Sequence, residues 1–193
     1  MRIAAFIPIL CLGHAAASQS AIGMEAVTSC TLGGDRSHTL ALLRAHPIGS
    51  TAVYYLSKDG AAPVRLYQGD EDQSRGEDIQ VACVGTNERA FVISGEFTSN
   101  YLQGVAVRYN TGAKRWERID FAERTRPTAV YFDAKGVAVL ISNSTRNESS
   151  KRYIIYRYEG GKGSGKPTYS DRLPKLRGVQ IPSPESRSGE ESR

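Results

Sequence analysis

One strand pattern recurs three times at a spacing of about fifty residues, and repetition at such a period restricts a chain to stacked or radially arranged β-units. An apolar strand ending near serine is followed by a tyrosine-bearing strand, a glycine turn and a short returning strand. The clearest copy runs from Ala90-Phe91-Val92-Ile93-Ser94 through Val105-Ala106-Val107-Arg108-Tyr109-Asn110-Thr111-Gly112 to Arg115-Trp116-Glu117-Arg118-Ile119. A second reads Ala138-Val139-Leu140-Ile141-Ser142, then Tyr153-Ile154-Ile155-Tyr156-Arg157-Tyr158-Glu159-Gly160. A looser, earlier one combines Leu40-Ala41-Leu42-Leu43 with Ala52-Val53-Tyr54-Tyr55-Leu56, Asp59-Gly60 and Val64-Arg65-Leu66-Tyr67.

Period-2 alternation, β-branched residues and aromatics dominate from Glu25 to about Tyr169, and no long stretch shows helical periodicity. The pattern predicts an all-β fold of about twelve short antiparallel strands in three groups of four. These are 26–32, 37–45, 51–57 and 63–68; 79–85, 90–96, 103–110 and 115–121; and 128–133, 137–143, 152–159 and 167–171. Lys58-Asp59-Gly60, Asn110-Thr111-Gly112 and Ala134-Lys135-Gly136 supply turn chemistry. Within 103–110, Val105, Val107 and Tyr109 alternate with Ala106, Arg108 and Asn110, the signature of a half-buried strand. The acidic stretch Gly69–Asp78 is expected to be mobile.

Residues 1–17 carry the marks of a cleaved export signal. Arg2 gives a basic start, Ile3 to Leu12 an apolar run, and Ala15-Ala16-Ala17 a small-residue cleavage site. The run is shorter than the ~20 residues a membrane span needs. The mature chain is expected to begin near Ser18 and to work in the periplasm or outside the cell. One domain over 18–172 and a disordered tail rich in Pro, Ser, Arg and Glu over 173–193 complete the expected organisation. The formal charge of +5, from 25 basic and 20 acidic residues, is mixed along the chain. That is unlike the basic stripe of a nucleic-acid binder. With Cys11 in the leader, Cys30 and Cys83 remain. They open the first and second units in a compartment where disulfides persist, so a structural bridge is expected.

The run Val107-Arg108-Tyr109-Asn110-Thr111-Gly112-Ala113-Lys114-Arg115-Trp116 resembles the hairpin of kelch-type β-propeller repeats. There a strand tyrosine with Asn or Asp precedes a turn and a tryptophan follows. Arg126-Pro127, Asp133 and Val137-Ala138-Val139-Leu140-Ile141-Ser142 continue similarly, so the resemblance spans roughly residues 84–160. The family's double glycine stands here as Ser94-Gly95 and Ser142-Asn143. The resemblance implies propeller-like units with aromatics packed between neighbouring sheets. Propellers close with about four to eight blades. Three units leave open a shortened disulfide-closed stack, a β-sandwich, or a ring completed by a second chain. The propeller-like stack is the expected arrangement, with the sandwich as the alternative.

The sequence offers little chemistry. Ser37 and His38 are adjacent and point to opposite sides of a strand, which separates a nucleophile from its base; His46 precedes Pro47 in a loop. Asp70-Glu71-Asp72 with Glu77-Asp78 suggests a cation loop, but an EF-hand register from Asp70 puts Arg75 at position six and Val81 at position twelve. Gly160 to Lys166 mimics a phosphate loop, yet Pro167 replaces its Ser or Thr. Asn143-Ser144-Thr145 and Asn147-Glu148-Ser149 have the form of glycosylation acceptors and mark a surface loop. No cofactor or metal is expected. Among ten tyrosines, Tyr101, Tyr153, Tyr156 and Tyr158 lie near Lys151, Arg152 and Arg157. Tyrosine with arginine is the composition of protein-binding hot spots. Tyr101, Arg152, Tyr153, Tyr156, Arg157 and Tyr158 are therefore the candidate binding residues. Two functions follow: a non-catalytic exported protein that binds another macromolecule, a protein first of all, as an inhibitor, an immunity-type neutraliser or an envelope interaction protein; or a periplasmic hydrolase or carbohydrate-acting enzyme using carboxylates such as Glu96, Asp120 or Asp133. A homo-oligomer stays open under either.

Overall fold

The computed structural model describes residues 23–97, 101–134, 136–143, 149–159, 162–163 and 166–182. The export signal assigned to 1–17 and the tail beyond 182 lie outside these residues. The strands are β1 (Glu25–Leu32), β2 (His38–Ile48), β3 (Thr51–Lys58), β4 (Val64–Arg65), β5 (Arg75–Val84), β6 (Ala90–Glu96) and β7 (Leu102–Asn110). They continue with β8 (Arg115–Glu123), β9 (Pro127–Phe132), β10 (Val137–Ser142), β11 (Tyr153–Glu159), β12 (Lys162–Gly163), β13 (Thr168–Ser170) and β14 (Arg177–Gln180). Among the described residues a single 3-10 turn, Glu71–Ser74, interrupts them. The fold is all-β and every pairing among the described residues is antiparallel.

Strand positions follow the sequence closely, but the grouping does not. Instead of three separate four-stranded units the described residues form two sheets, ordered β1-β2-β3-β5-β6-β7-β8 and β12-β11-β10-β9-β14. The first two units merge because β4 is only two residues long. It pairs with Tyr55 and Leu56 of β3, which leaves Ala52 and Val53 free to pair with Gly76 and Arg75 of β5. The stretch expected to be mobile thus enters the sheet. It is pinned by Ser74, fully buried, whose hydroxyl accepts from the Tyr67 amide at 2.9 Å and donates to the Tyr67 carbonyl at 3.1 Å.

The merged sheet folds back on itself. Leu32, Leu40, Leu42, Tyr54, Leu56 and Leu66 of its first part pack against Phe91, Ile93, Val105 and Val107 of its second. The opposite face of that second part gives Val92, Ala106, Ile119 and Phe121 to a core shared with Val130, Phe132, Val139, Ile141, Ile154, Tyr156 and Tyr158. Three layers therefore stack in chain order, and the middle one is buried on both faces. Strand β7 corrects its half-buried reading: Val105, Ala106, Val107, Arg108 and Asn110 are all buried. Gly104 of β7 makes room for its neighbours in the same sheet, since a Cβ there would stand 2.4 Å from both the Ile93 carbonyl of β6 and the Phe121 ring of β8.

The bridge Cys30–Cys83 ties β1 to β5 across a sequence separation of 53, with Cα atoms 5.6 Å apart. Beyond Leu173 the chain was expected to be disordered. In fact Arg177–Gln180 pairs with Ala129–Phe132 of β9, and the Ile181 amide donates to the Thr128 carbonyl at 2.9 Å. Val179 and Ile181 pack on the second core, which is why this polar segment is held. Among the described residues no helix is long and apolar enough to cross a membrane.

Candidate functional site

Strand alternation divides the six candidate binding residues. On β11, Tyr153 lies with Ile155 on the outer face of the third layer, while Tyr156 and Tyr158 turn inward to the second core and are 5% and 7% exposed. One continuous tyrosine patch is thereby ruled out. Arg152 stacks its guanidinium 5.9 Å from the Tyr153 ring and donates to the Asp171 carbonyl at 2.7 Å. Arg157 is half-buried. Tyr158 lies under the guanidinium of Arg115 of the middle layer, at 5.4 Å.

Tyr101 and Tyr156 do meet, in a pocket of about 230 Å³ at the seam of the second and third layers. Its lining includes Glu123 and Arg124 at the end of β8, and Pro167 and Tyr169 at β13. Glu123 is buried and accepts a hydrogen bond from the Tyr156 hydroxyl at 2.8 Å. Burial first, and then that bond to a carboxylate, push the Tyr156 phenol well above its ordinary pKa. The group stays a neutral donor throughout the physiological range. The Arg124 guanidinium stands 5.5 Å from the Tyr101 ring, and Tyr169 is 45% exposed at the rim. Sequence reasoning missed Glu123, Arg124 and Tyr169. The Tyr-x-Tyr spacing of β11 was visible, but which β8 residues face it is set by how two sheets stack.

Next to this seam the middle layer carries a buried ionic network. Arg108 and Glu117 are cross-strand partners, 1% and 0% exposed, with Nε donating to Oε2 at 2.6 Å. Asn110 Nδ2 donates to the other Glu117 oxygen at 2.9 Å, and Arg108 Nη2 donates to the Asp133 carbonyl at 2.7 Å. The network clamps the β9–β10 turn of the third layer to the hairpin of the second, a structural role.

His38 is more constrained than a surface histidine. Its Nδ1 lies 2.9 Å from Asp59 Oδ2, and its ring stacks on Tyr109 at 3.6 Å between centroids with Trp116 edge-on at 5.5 Å. The His38 hydrogen bond, followed by the Thr39 amide at 2.7 Å, holds the Asp59 carboxyl below its usual range. Ser37 turns instead to Asp35, to which its amide donates at 3.1 Å. Lys58 caps the exposed face of this cluster, with Nζ 5.4 Å from the Trp116 ring. The arrangement fastens the β7–β8 hairpin, where Tyr109 and Trp116 are direct partners, to the first layer. The three carboxylates considered for hydrolysis stand apart: Glu96 ends β6 opposite Glu77, Asp120 is held by Arg118 on β8, and Asp133 lies in the β9–β10 turn. Among the described residues no group of three or more His, Cys, Asp and Glu is arranged to hold a metal ion. The chain matches no protein-family model, no curated protein and no solved structure.

Proposed function

We propose that this chain is an exported, non-catalytic β-protein of the periplasm or cell exterior that binds a protein partner through the tyrosine pocket. The pocket's size and chemistry carry the reading. At about 230 Å³ it falls below the ~300–1,000 Å³ of small-molecule sites and suits one side chain of a partner. A stiff aromatic rim beside a guanidinium and a buried hydroxyl–carboxylate pair is the composition of an interface anchor. The disulfide fits an oxidising compartment, and the mixed surface charge does not favour nucleic acid. The hydrolase alternative needs two carboxylates around one bond, and Glu96, Asp120 and Asp133 are dispersed.

The test uses the mature protein, residues 18–193, immobilised to capture partners from an envelope extract. Tyr169→Ala and Tyr101→Ala truncate the rim without touching a core cluster. Each is expected to lower retention of the captured partner at least ~10-fold, the scale of a hot-spot residue, with an unchanged melting temperature. Equal retention by both variants overturns the assignment of the pocket.

A further inference from the structure

The two sulfurs of the bridge have unlike surroundings. Cys30 is 2% exposed and packs in the first core with Leu32 and Leu40, whereas Cys83 is exposed on β5. Against Cys83 stands one guanidinium. Arg89 Nη2 donates to Cys83 Sγ at 2.9 Å, while Nη1 donates to the Thr31 carbonyl at 2.8 Å and to the Thr31 hydroxyl. The Arg89 Nε is buried without an acceptor, so burial has been accepted to keep the fork in place. The turn leading to it requires Gly85, whose φ is +99° and whose Cβ would lie 2.0 Å from the Glu88 carbonyl. Glu88, the nearest acidic neighbour in the chain, is directed to Arg108 at 3.4 Å. A disulfide sulfur is a poor acceptor for a guanidinium; a thiolate is a strong one. The fork is thus matched to the reduced state of Cys83 better than to the bridge in which it sits.

We propose that Cys83 and Arg89 form a thiol–disulfide exchange site, with Cys83 as the reactive sulfur, Cys30 as the resolving one, and a disulfide such as oxidised glutathione as co-reactant. In the reduced chain the Cys83 thiolate attacks one sulfur of the incoming disulfide, and the other sulfur leaves as a thiolate. Cys30 then loses its proton, attacks Cys83 Sγ and expels the remaining thiolate. Two protein thiols become the bridge and one disulfide becomes two thiols. In reverse, an external thiolate reaches Cys83 and releases Cys30. The site is independent of the tyrosine pocket.

The experiment compares single-cysteine mature proteins, Cys30→Ser and Cys83→Ser, reacted with oxidised glutathione across pH and read by intact mass. Cys83 is expected to react at least ~10-fold faster than Cys30 at neutral pH, with its rate midpoint about one pH unit below the ~8.5 of an ordinary thiol. Arg89→Gln added to Cys30→Ser is expected to move that midpoint up by about one unit, while Arg89→Lys, which keeps the charge, retains most of the depression. A merely structural arginine would leave the midpoint where it was. Cys30 reacting as fast as Cys83, or a midpoint unmoved by Arg89→Gln, overturns the proposal. If a single-cysteine variant fails to fold, limiting oxidised glutathione is added to the reduced unsubstituted chain and quenched in acid. Peptide mapping then locates the adduct: on Cys83 it supports the assignment, on Cys30 it refutes it.

Discussion

Arg108 and Glu117 face each other across β7 and β8 with both side chains out of water. Such a pair adds little over an apolar one, but removing one partner strands a charge. Glu117→Ala is expected to destabilise the fold by about 3–5 kcal/mol in urea denaturation. Arg108→Leu combined with Glu117→Leu should recover much of that loss. Asp59 gives a pH prediction. Its folded-state pKa is lowered by His38 and the Thr39 amide, so its stabilising contribution is present above the unfolded value of ~3.9 and is lost as pH falls through the folded one. Asp59→Asn should lower stability at neutral pH and flatten the acid limb below about pH 4, so that the two stability profiles converge at low pH. None of these partnerships was readable in advance. Arg108 and Asn110 look like the solvent face of a strand, because polarity marks exposure only when no second sheet arrives to cover it. His38 and Asp59 meet because β2 and β3 pair in a register that sets Thr39 across from the turn after Lys58.

At the scale of elements, nearly every strand announced itself through alternation and turn residues, whereas β14 did not. Arg177-Gly178-Val179-Gln180 has one apolar side chain and no periodicity to speak of. Its order comes from the exposed edge of β9, which supplies ladder partners that no local pattern encodes. The merging of the first two units was equally hidden, since the shortness of β4 decides which edge of β3 is left open. Truncation after Pro182 is expected to leave the melting temperature unchanged. Truncation after Leu176 removes the ladder on β9 and the packing of Val179 and Ile181, and should cost about 2–3 kcal/mol. Matching urea midpoints for the two truncations would show that β14 contributes nothing.

Over the whole molecule, the bridge Cys30–Cys83 spans 53 positions and joins the first layer to the second. Loop entropy assigns about 4 kcal/mol to such a link, so reduction with confirmed thiol release should lower the melting temperature by roughly 10 °C. The repeat in the sequence marked where strands would form; it did not say that they would gather into two sheets or that the middle layer would be sealed on both sides. That sealing has an architectural consequence. Each layer rests on the one that precedes it in the chain, so nothing has to be threaded between finished parts. A duplicated unit spliced onto either end would meet a surface of the kind its parent already recognises, which makes lengthening such a pile far simpler than opening its centre.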